Sequence, residues 1–339
     1  MPRTRHPRHL LATDDWPDEE ILALLDRAEE LRHRREPDEA LHGRTMAAVF
    51  FAPSLRTRAS FEAAMLLHGG HTIVLEPGKG SWGIEHRRGV VMDGEAAEHV
   101  AEAAAVLGRY ADVLGVRAFP SGSDLAEAMA DGVVRGFAEH AGVPVINMES
   151  ARRHPCQGLA DALTLRQRLG PRPRGRRLVL AWCWHPRPLP TAVPVSAAIN
   201  AVRLGVDVTI ARPPGFDLHD DDMEAIHRVA ARNGAGVDVT DDLDAALAGA
   251  DAVYAKSWGS LRHFGDPEGE GRTREPFRDR RIDGARMAAT RDGFLLHCLP
   301  VRRNVVVTDE VLDGPRSAVI DQAENRLHVQ RAVLRELLP

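Results

Sequence analysis

The segment FFAPSLRTRASF, Phe50 to Phe61, sets two hydroxyls and two guanidinium groups where an apolar run stops. Pro53 blocks continuation of the run, and Ser54 to Thr57 lead into a helical pattern whose first turn has free backbone N–H groups, a ready place for an anion. The hydroxyls of Ser54 and Thr57 and the forked guanidiniums of Arg56 and Arg58 suit phosphate oxygens. The same pattern also describes a helix N-cap followed by two solvated arginines. Neither G-x-x-x-x-G-K-[ST] nor G-x-G-x-x-G occurs, so a small anion is expected rather than a nucleotide.

Other apolar runs end in polar groups. Arg117 closes ADVLGVR, and the carboxyl end of a parallel strand is where open α/β sheets bind ligands; taken alone, Arg117 reads equally as a surface ion pair. His154 and Gln157 of HPCQ open a helix at an expected domain boundary, so an imidazole and an amide are expected to face a cleft. In LHCLPVRRN the run stops at Pro300, before Arg302 and Arg303. His297 is badly placed to activate Cys298, because strand neighbours point oppositely, and backbone carbonyls are the expected contacts there. Of 44 Lys and Arg residues only Lys79 and Lys256 are lysine, each close to a tryptophan, Trp82 or Trp258, in a glycine-rich stretch. A site shaped for a compact ammonium rejects a planar guanidinium, so the two together mark a site although either alone reads as chance survival.

These groups need a scaffold. Pro17, three acids and the stripe Ile21, Leu24, Leu25, Ala28 and Leu31 predict a packing helix over Asp18 to Arg35. Strand-length runs MAAVFF, TIVL, ADVLGVR and VPVINM then alternate with helical patterns, and a second series follows through RRLVLAW, VDVTIA, GVDVT, DAVYA and GFLLHC. That rhythm predicts an α/β chain of two doubly wound parallel-sheet domains with a cleft between them. At 339 residues two domains are the default, with a boundary near Met148 to Leu159. The last helical pattern, Glu324 to Leu338, is long enough to cross back, and the polar stretch GDPEGEGRTREPFRDRR reads as an exposed loop. A net charge of -5 gives no basic excess for nucleic acid, and no run approaches 18 apolar residues, so neither nucleic acid nor membrane is an expected partner. Three scattered cysteines and no apolar core in MPRTRHPRHLLATDD point to a reducing cytoplasm.

In this order, FFAPSLRTRASFE, GKGSW, VMDGEAAEH, LGRYADVLGVRAFP, VPVINME, HPCQ, AKSWG, HCLP and DQAENRLHVQ resemble the aspartate and ornithine carbamoyltransferase superfamily, and GKGSW and AKSWG are most similar to its N-acetylornithine branch. The resemblance implies a carbamoyl-phosphate domain, 1–150 with the helix 324–339, and an acceptor domain, 151–323. It further implies a homotrimer with shared active sites, no cofactor, no metal, and a setting in amino-acid, notably arginine, biosynthesis. By position, Ser54, Leu55, Arg56 and Thr57 would hold phosphate and Trp82 would reach in from a neighbouring subunit. Arg117, His154 and Gln157 would surround the carbamoyl group, Cys298 and Leu299 would offer carbonyls to its amide, and Arg326 would complete the anion site. Glu149, Lys256, Arg302 and the position of Ala97 would face the acceptor amine. Arg117, His154 and Thr57 would stabilise the oxyanion formed when a neutral amine attacks carbamoyl phosphate.

Four positions depart from the N-acetylornithine pattern, all on the acceptor side. Val306 replaces a lysine, Pro190 an asparagine, one extra residue separates Glu149 from His154, and Ala97 stands where acetyl-specific enzymes carry Glu and succinyl-specific ones Pro. The expected acceptor is an N-acylated ornithine, with ornithine, succinylornithine or another amine as alternatives. A silent paralogue is a further alternative, disfavoured by intact Arg56, Arg117, His154, Gln157 and Arg326.

Overall fold

Strands of three to six residues alternating with helices build two parallel sheets. The structure, a computed structural model, describes residues 7–34, 36–119 and 122–339. The first residues of the N-terminal stretch read above, the last residue of the predicted opening helix, and Pro120 after LGVRAF lie outside them. The chain forms two units. One comprises the described residues before Gly122 with Ala126–Cys156 and Arg326–Pro339; the other comprises Gly122–Leu125 and Gln157–Asn325.

In the first unit β1 (Thr45–Phe50), β2 (His71–Leu75), β5 (Val113–Arg117) and β6 (Val145–Glu149) form a parallel sheet in the order β2-β1-β5-β6, while β3 (Gly83–Glu85) pairs separately with β4 (Ala96–His99). Register decides what this sheet presents. Phe50 pairs with Arg117 and, past a register shift, Arg117 pairs with Glu149, so three strands deliver their carboxyl ends side by side. Beneath lie Val49, Leu114, Val116 and Phe137, all buried. The opening helix, Asp18–His33, buries all five residues of its predicted stripe, with Pro17 at its N-cap.

The second unit has β7 (Arg177–Trp182), β8 (Asp207–Ala211), β9 (Val237–Thr240), β10 (Ala252–Lys256) and β11 (Phe294–Leu296) in the parallel order β11-β10-β7-β8-β9. The helix Ala192–Arg203 is buried on every side, as its small apolar residues allow. It lies close to the helix Pro155–Leu169: a Cβ on Gly158 would sit 2.7 Å from the Ser196 carbonyl oxygen.

Two expectations need correction. The last helix runs Val319–Leu337, beginning before Glu324, because its first turns bury Gln322 and Asn325, which break apolar periodicity but are hydrogen-bonded. Beyond Arg326 it packs within the first unit, where Arg331 donates to the carbonyl of Leu31 at 3.0 Å. The stretch Gly265 to Arg281 is not an exposed loop. It contains the helix Pro267–Arg274, and Glu270, Arg274 and Arg280 are buried. Charge mimicked solvation at Glu270 and Arg274, which pair with each other inside, and at Arg280, which donates to backbone carbonyls. Among the described residues no helix is long and apolar enough to cross a membrane.

Candidate active site

The turn after β1 opens directly into a helix whose first N–H groups face the carboxyl end of the sheet's central strands. Ser54 caps the helix Leu55–Leu67 by accepting the Thr57 N–H at 3.2 Å. Thr57 is buried, and its hydroxyl accepts from Arg326 Nη2 at 2.6 Å. Leu55 is 80% exposed. Arg326 is buried near Arg56 and Arg117; burial first, then those like charges, lower its pKa, against the pull of Glu149. Such crowding of guanidiniums favours an anion among them. The Nε of Arg326 and the Nε of Arg117 are both buried without a hydrogen-bond partner, an expensive condition that a bound anion would relieve. Arg58 does not join them: it pairs with Glu62 on the helix surface at 3.0 Å.

Adjacent strand ends bring Arg117 and Glu149 into an ion pair, and Glu149 lies 3.6 Å from His154 Nε2. Between Glu149 and His154 the chain makes a turn in which the Ser150 N–H reaches the Arg153 carbonyl at 3.0 Å, Asp131 accepts from Ser150 Oγ and the Ala151 N–H, and Arg153 pairs with Asp14. Cys156 beside it is buried, which pushes its thiol up to about 12 and removes it as a nucleophile. Trp82 immediately precedes β3, and Ala97 lies in β4. Trp82 is 59% exposed with its indole N–H on Glu98, and Ala97 is exposed.

The second unit holds the remaining residues. Gln157 is buried and its amide nitrogen donates to Asp161 at 2.8 Å. Cys298 and Leu299 follow β11, which ends at Leu296, so strand alternation does not govern Cys298; His297 instead accepts the Leu299 N–H at 2.8 Å. Lys256 ends β10 and is buried, and among the described residues its ammonium has no carboxylate partner. The segment after it is fixed: Trp258 is a core residue donating to the Phe216 carbonyl at 2.8 Å, and the Gly259 N–H donates to the Leu189 carbonyl at 2.8 Å, next to Pro190.

Sequence reasoning missed His185, although it follows β7 much as His154 follows β6. Its Nε2 accepts from Arg302 Nε at 3.0 Å, which leaves Nδ1 protonated and donating to the Arg187 carbonyl at 2.8 Å. Burial lowers the imidazole pKa, the Arg187 contact opposes this, and Arg302, Lys256 and Arg274 lower it further. A neutral His185 can orient Arg302; a protonated one cannot accept its hydrogen bond. Because the folded pKa lies below 6.5, that orientation is intact at neutral pH and is lost only on acidification. Acidification below that value is therefore expected to raise the acceptor KM, beyond the rise caused by protonation of the amine itself, and not that of the phosphate-bearing substrate, and His185→Phe is expected to leave only the amine's contribution. A variant whose acceptor KM rises on acidification by the same factor as the wild type's contradicts this role.

Val306 does not face a polar site. It is 2% exposed in a cluster with Ile282, Val307 and Val311, its N–H on the Arg302 carbonyl at 2.9 Å. Among the described residues no group of three or more His, Cys, Asp or Glu side chains could hold a metal ion.

Residues 8–167 match the family described as aspartate/ornithine carbamoyltransferase, carbamoyl-P binding domain, and residues 180–337 match its Asp/Orn binding domain. The chain is 48% identical to the N-acetylornithine carbamoyltransferase of Xanthomonas campestris pv. campestris, covering 98% of each sequence. It is similar to acetylornithine transcarbamylase complexed with acetylcitrulline, with a TM-score of 0.96, 47% identity, and coverage of 98% of this chain and 99% of that one. It is also similar, with a TM-score of 0.95, 48% identity and coverage of 97% and 99%, to a glutamate-to-alanine mutant of N-acetyl-L-ornithine transcarbamylase complexed with carbamyl phosphate and N-succinyl-L-norvaline. With both halves matched in order, this chain belongs to the aspartate/ornithine carbamoyltransferase family.

Proposed function

We propose that the protein transfers the carbamoyl group of carbamoyl phosphate to the side-chain amine of an N-acylated ornithine, giving the ureido product and phosphate. The observation that carries this reading is the pair of buried, unpartnered Nε groups of Arg117 and Arg326 beside the Thr57 helix start. Ser54, Leu55, Arg56, Thr57 and Arg326 hold the phosphate. Arg117, His154 and Thr57 stabilise the carbonyl oxygen as it gains charge, and Gln157, Cys298 and Leu299 hold the carbamoyl amide. The neutral amine attacks the carbonyl carbon, a C–N bond forms, the C–O bond to phosphate breaks, and the amine proton leaves with the phosphate. Glu149, Lys256 and Arg302 face the acceptor; the buried ammonium of Lys256, with no carboxylate of its own, suits an acceptor carboxylate. We place this activity in a cytoplasmic homotrimer serving arginine biosynthesis, with the exposed Trp82 completing a neighbouring subunit's site.

A second acceptor is favoured by one residue. Ala97 is small, uncharged and exposed, and the similar mutant in which a glutamate became alanine is complexed with N-succinyl-L-norvaline. With no carboxylate at position 97 to repel a charged acyl group, N-succinylornithine is the alternative to N-acetylornithine. The test is an amine panel with carbamoyl phosphate, read by mass spectrometry and then kinetics: ornithine, acetylornithine, succinylornithine, putrescine and lysine derivatives. An acylated ornithine is expected to exceed free ornithine in kcat/KM by at least ~10-fold, the discrimination of one well-made contact. A preference for free ornithine or putrescine overturns the acceptor assignment, and no ureido product from any amine overturns the activity.

A further inference from the structure

The helix Pro155–Leu169 places Gln157 and Asp161 one turn apart, on the same face. One oxygen of Asp161 gathers three groups from three separate segments: Gln157 Nε2 at 2.8 Å, Gln322 Nε2 at 2.6 Å and the Tyr254 hydroxyl at 3.4 Å. All four side chains are at most 1% exposed. Tyr254 is held in its donor form, since burial and then the neighbouring Asp161 raise its pKa well above that of an ordinary phenol. The far end of Gln322 accepts the backbone N–H of His297 at 2.9 Å, and His297 Nδ1 accepts the N–H of Leu299 at 2.8 Å.

A carboxylate only accepts hydrogen bonds, so Gln157 must turn its NH2 toward Asp161 and its Oε1 away. That Oε1 is buried and has no hydrogen-bond partner in the chain, so it is set to receive an N–H from elsewhere. The second branch fixes a peptide plane. With the Leu299 N–H committed to His297, the Cys298 carbonyl of the same plane points the opposite way. Leu299 has a left-handed backbone, φ 54°, an arrangement that needs such support in a residue with a Cβ.

We propose that Asp161 is the positioning residue of carbamoyl recognition: it dictates which end of the Gln157 amide meets the substrate and, through Gln322 and His297, aims the carbonyl that follows β11. The inference rests on the proposed assignment of Gln157, Cys298 and Leu299 to the carbamoyl amide. A carbamoyl NH2 supplies N–H donors to fixed acceptors, whereas free phosphate engages none of them. Asp161→Asn keeps the shape but presents an N–H of its own, so Gln157 is no longer held in one orientation.

The experiment compares wild type, Asp161→Asn, Gln157→Ala and the double variant in steady-state kinetics, with inorganic phosphate as inhibitor in the same assay. Asp161→Asn is expected to lower kcat/KM for carbamoyl phosphate ~10–100-fold, the range for a misplaced reactant, while the phosphate inhibition constant stays unchanged. Gln157→Ala is expected to produce a similar loss, and Asp161→Asn to add little to it. Equal weakening of phosphate and carbamoyl phosphate in Asp161→Asn, or losses that simply multiply in the double variant, overturn the positioning role and leave the activity standing. A Gln157→Ala enzyme with normal kcat/KM overturns the assignment of Gln157 itself and the inference with it. If Asp161→Asn does not fold, Gln322→Met cuts the branch to His297 and one donor to Asp161 while leaving Gln157 its acceptor, and the same selective loss for carbamoyl phosphate is expected; an unchanged kcat/KM there refutes the linkage.

Discussion

Replacing Arg117 by alanine is expected to lower kcat by ~100-fold or more, the usual cost of removing one donor to developing negative charge. Arg117 ends β5 between the turn after β1 and the end of β6, so its guanidinium is placed by sheet register. Part of it is engaged by Glu149, while its buried Nε is open. The Glu149 pairing makes the variant informative in a second way. Without Arg117, Glu149 keeps His154 Nε2 at 3.6 Å and the nearby charge of Arg326, so the fold retains partial compensation and is expected to survive. Turnover measured beside thermal denaturation separates the two effects. A cooperatively folded Arg117→Ala protein with near-normal kcat contradicts the role given to this residue.

Arg274→Met is expected to destabilise the protein by about 3–5 kcal/mol, because it strands Glu270 as a buried charge. The two side chains are only 3% and 4% exposed, and Arg274 also donates to the carbonyl of Arg187 at 3.0 Å and to that of His185. For a unit of this size the loss corresponds to a Tm lower by on the order of 10 °C. Changing both partners, Arg274→Met with Glu270→Met, removes the stranded charge and is expected to recover much of the loss. Calorimetry of the two variants decides it. If the double variant is no more stable than the single one, the carbonyl contacts to the His185 segment, rather than the ion pair, carry the stabilisation.

The same residues show what sequence could and could not disclose. The central strands β1, β5, β6, β7 and β10 were legible because their buried runs are continuous, and the stripe from Ile21 to Leu31 was legible because one face is apolar. The helix Pro267–Arg274 was not, since its buried face is made of Glu270 and Arg274, and hydropathy reads paired charge as solvent exposure. The beginning of the last helix was hidden in the same way by Gln322 and Asn325. Within the candidate site, Arg117 and His154 could be suspected from where apolar runs stop. Asp161 and His185 could not be assigned a partner, because their meanings lie in contacts 161 and 117 positions away along the chain.

The last helix also imposes an order on biosynthesis. Thr57 waits 269 residues for Arg326, and the Leu31 carbonyl waits 300 for Arg331. At ribosomal speeds of about 5–20 residues per second, that interval is on the order of 15–60 s. During it the nascent first unit carries a helix start and backbone acceptors still lacking these two arginines, while residues 157–325, all of the second unit except Gly122–Leu125, have been synthesised. On the proposed assignment of this helix start to phosphate, the anion site is finished only once residue 326 has been added.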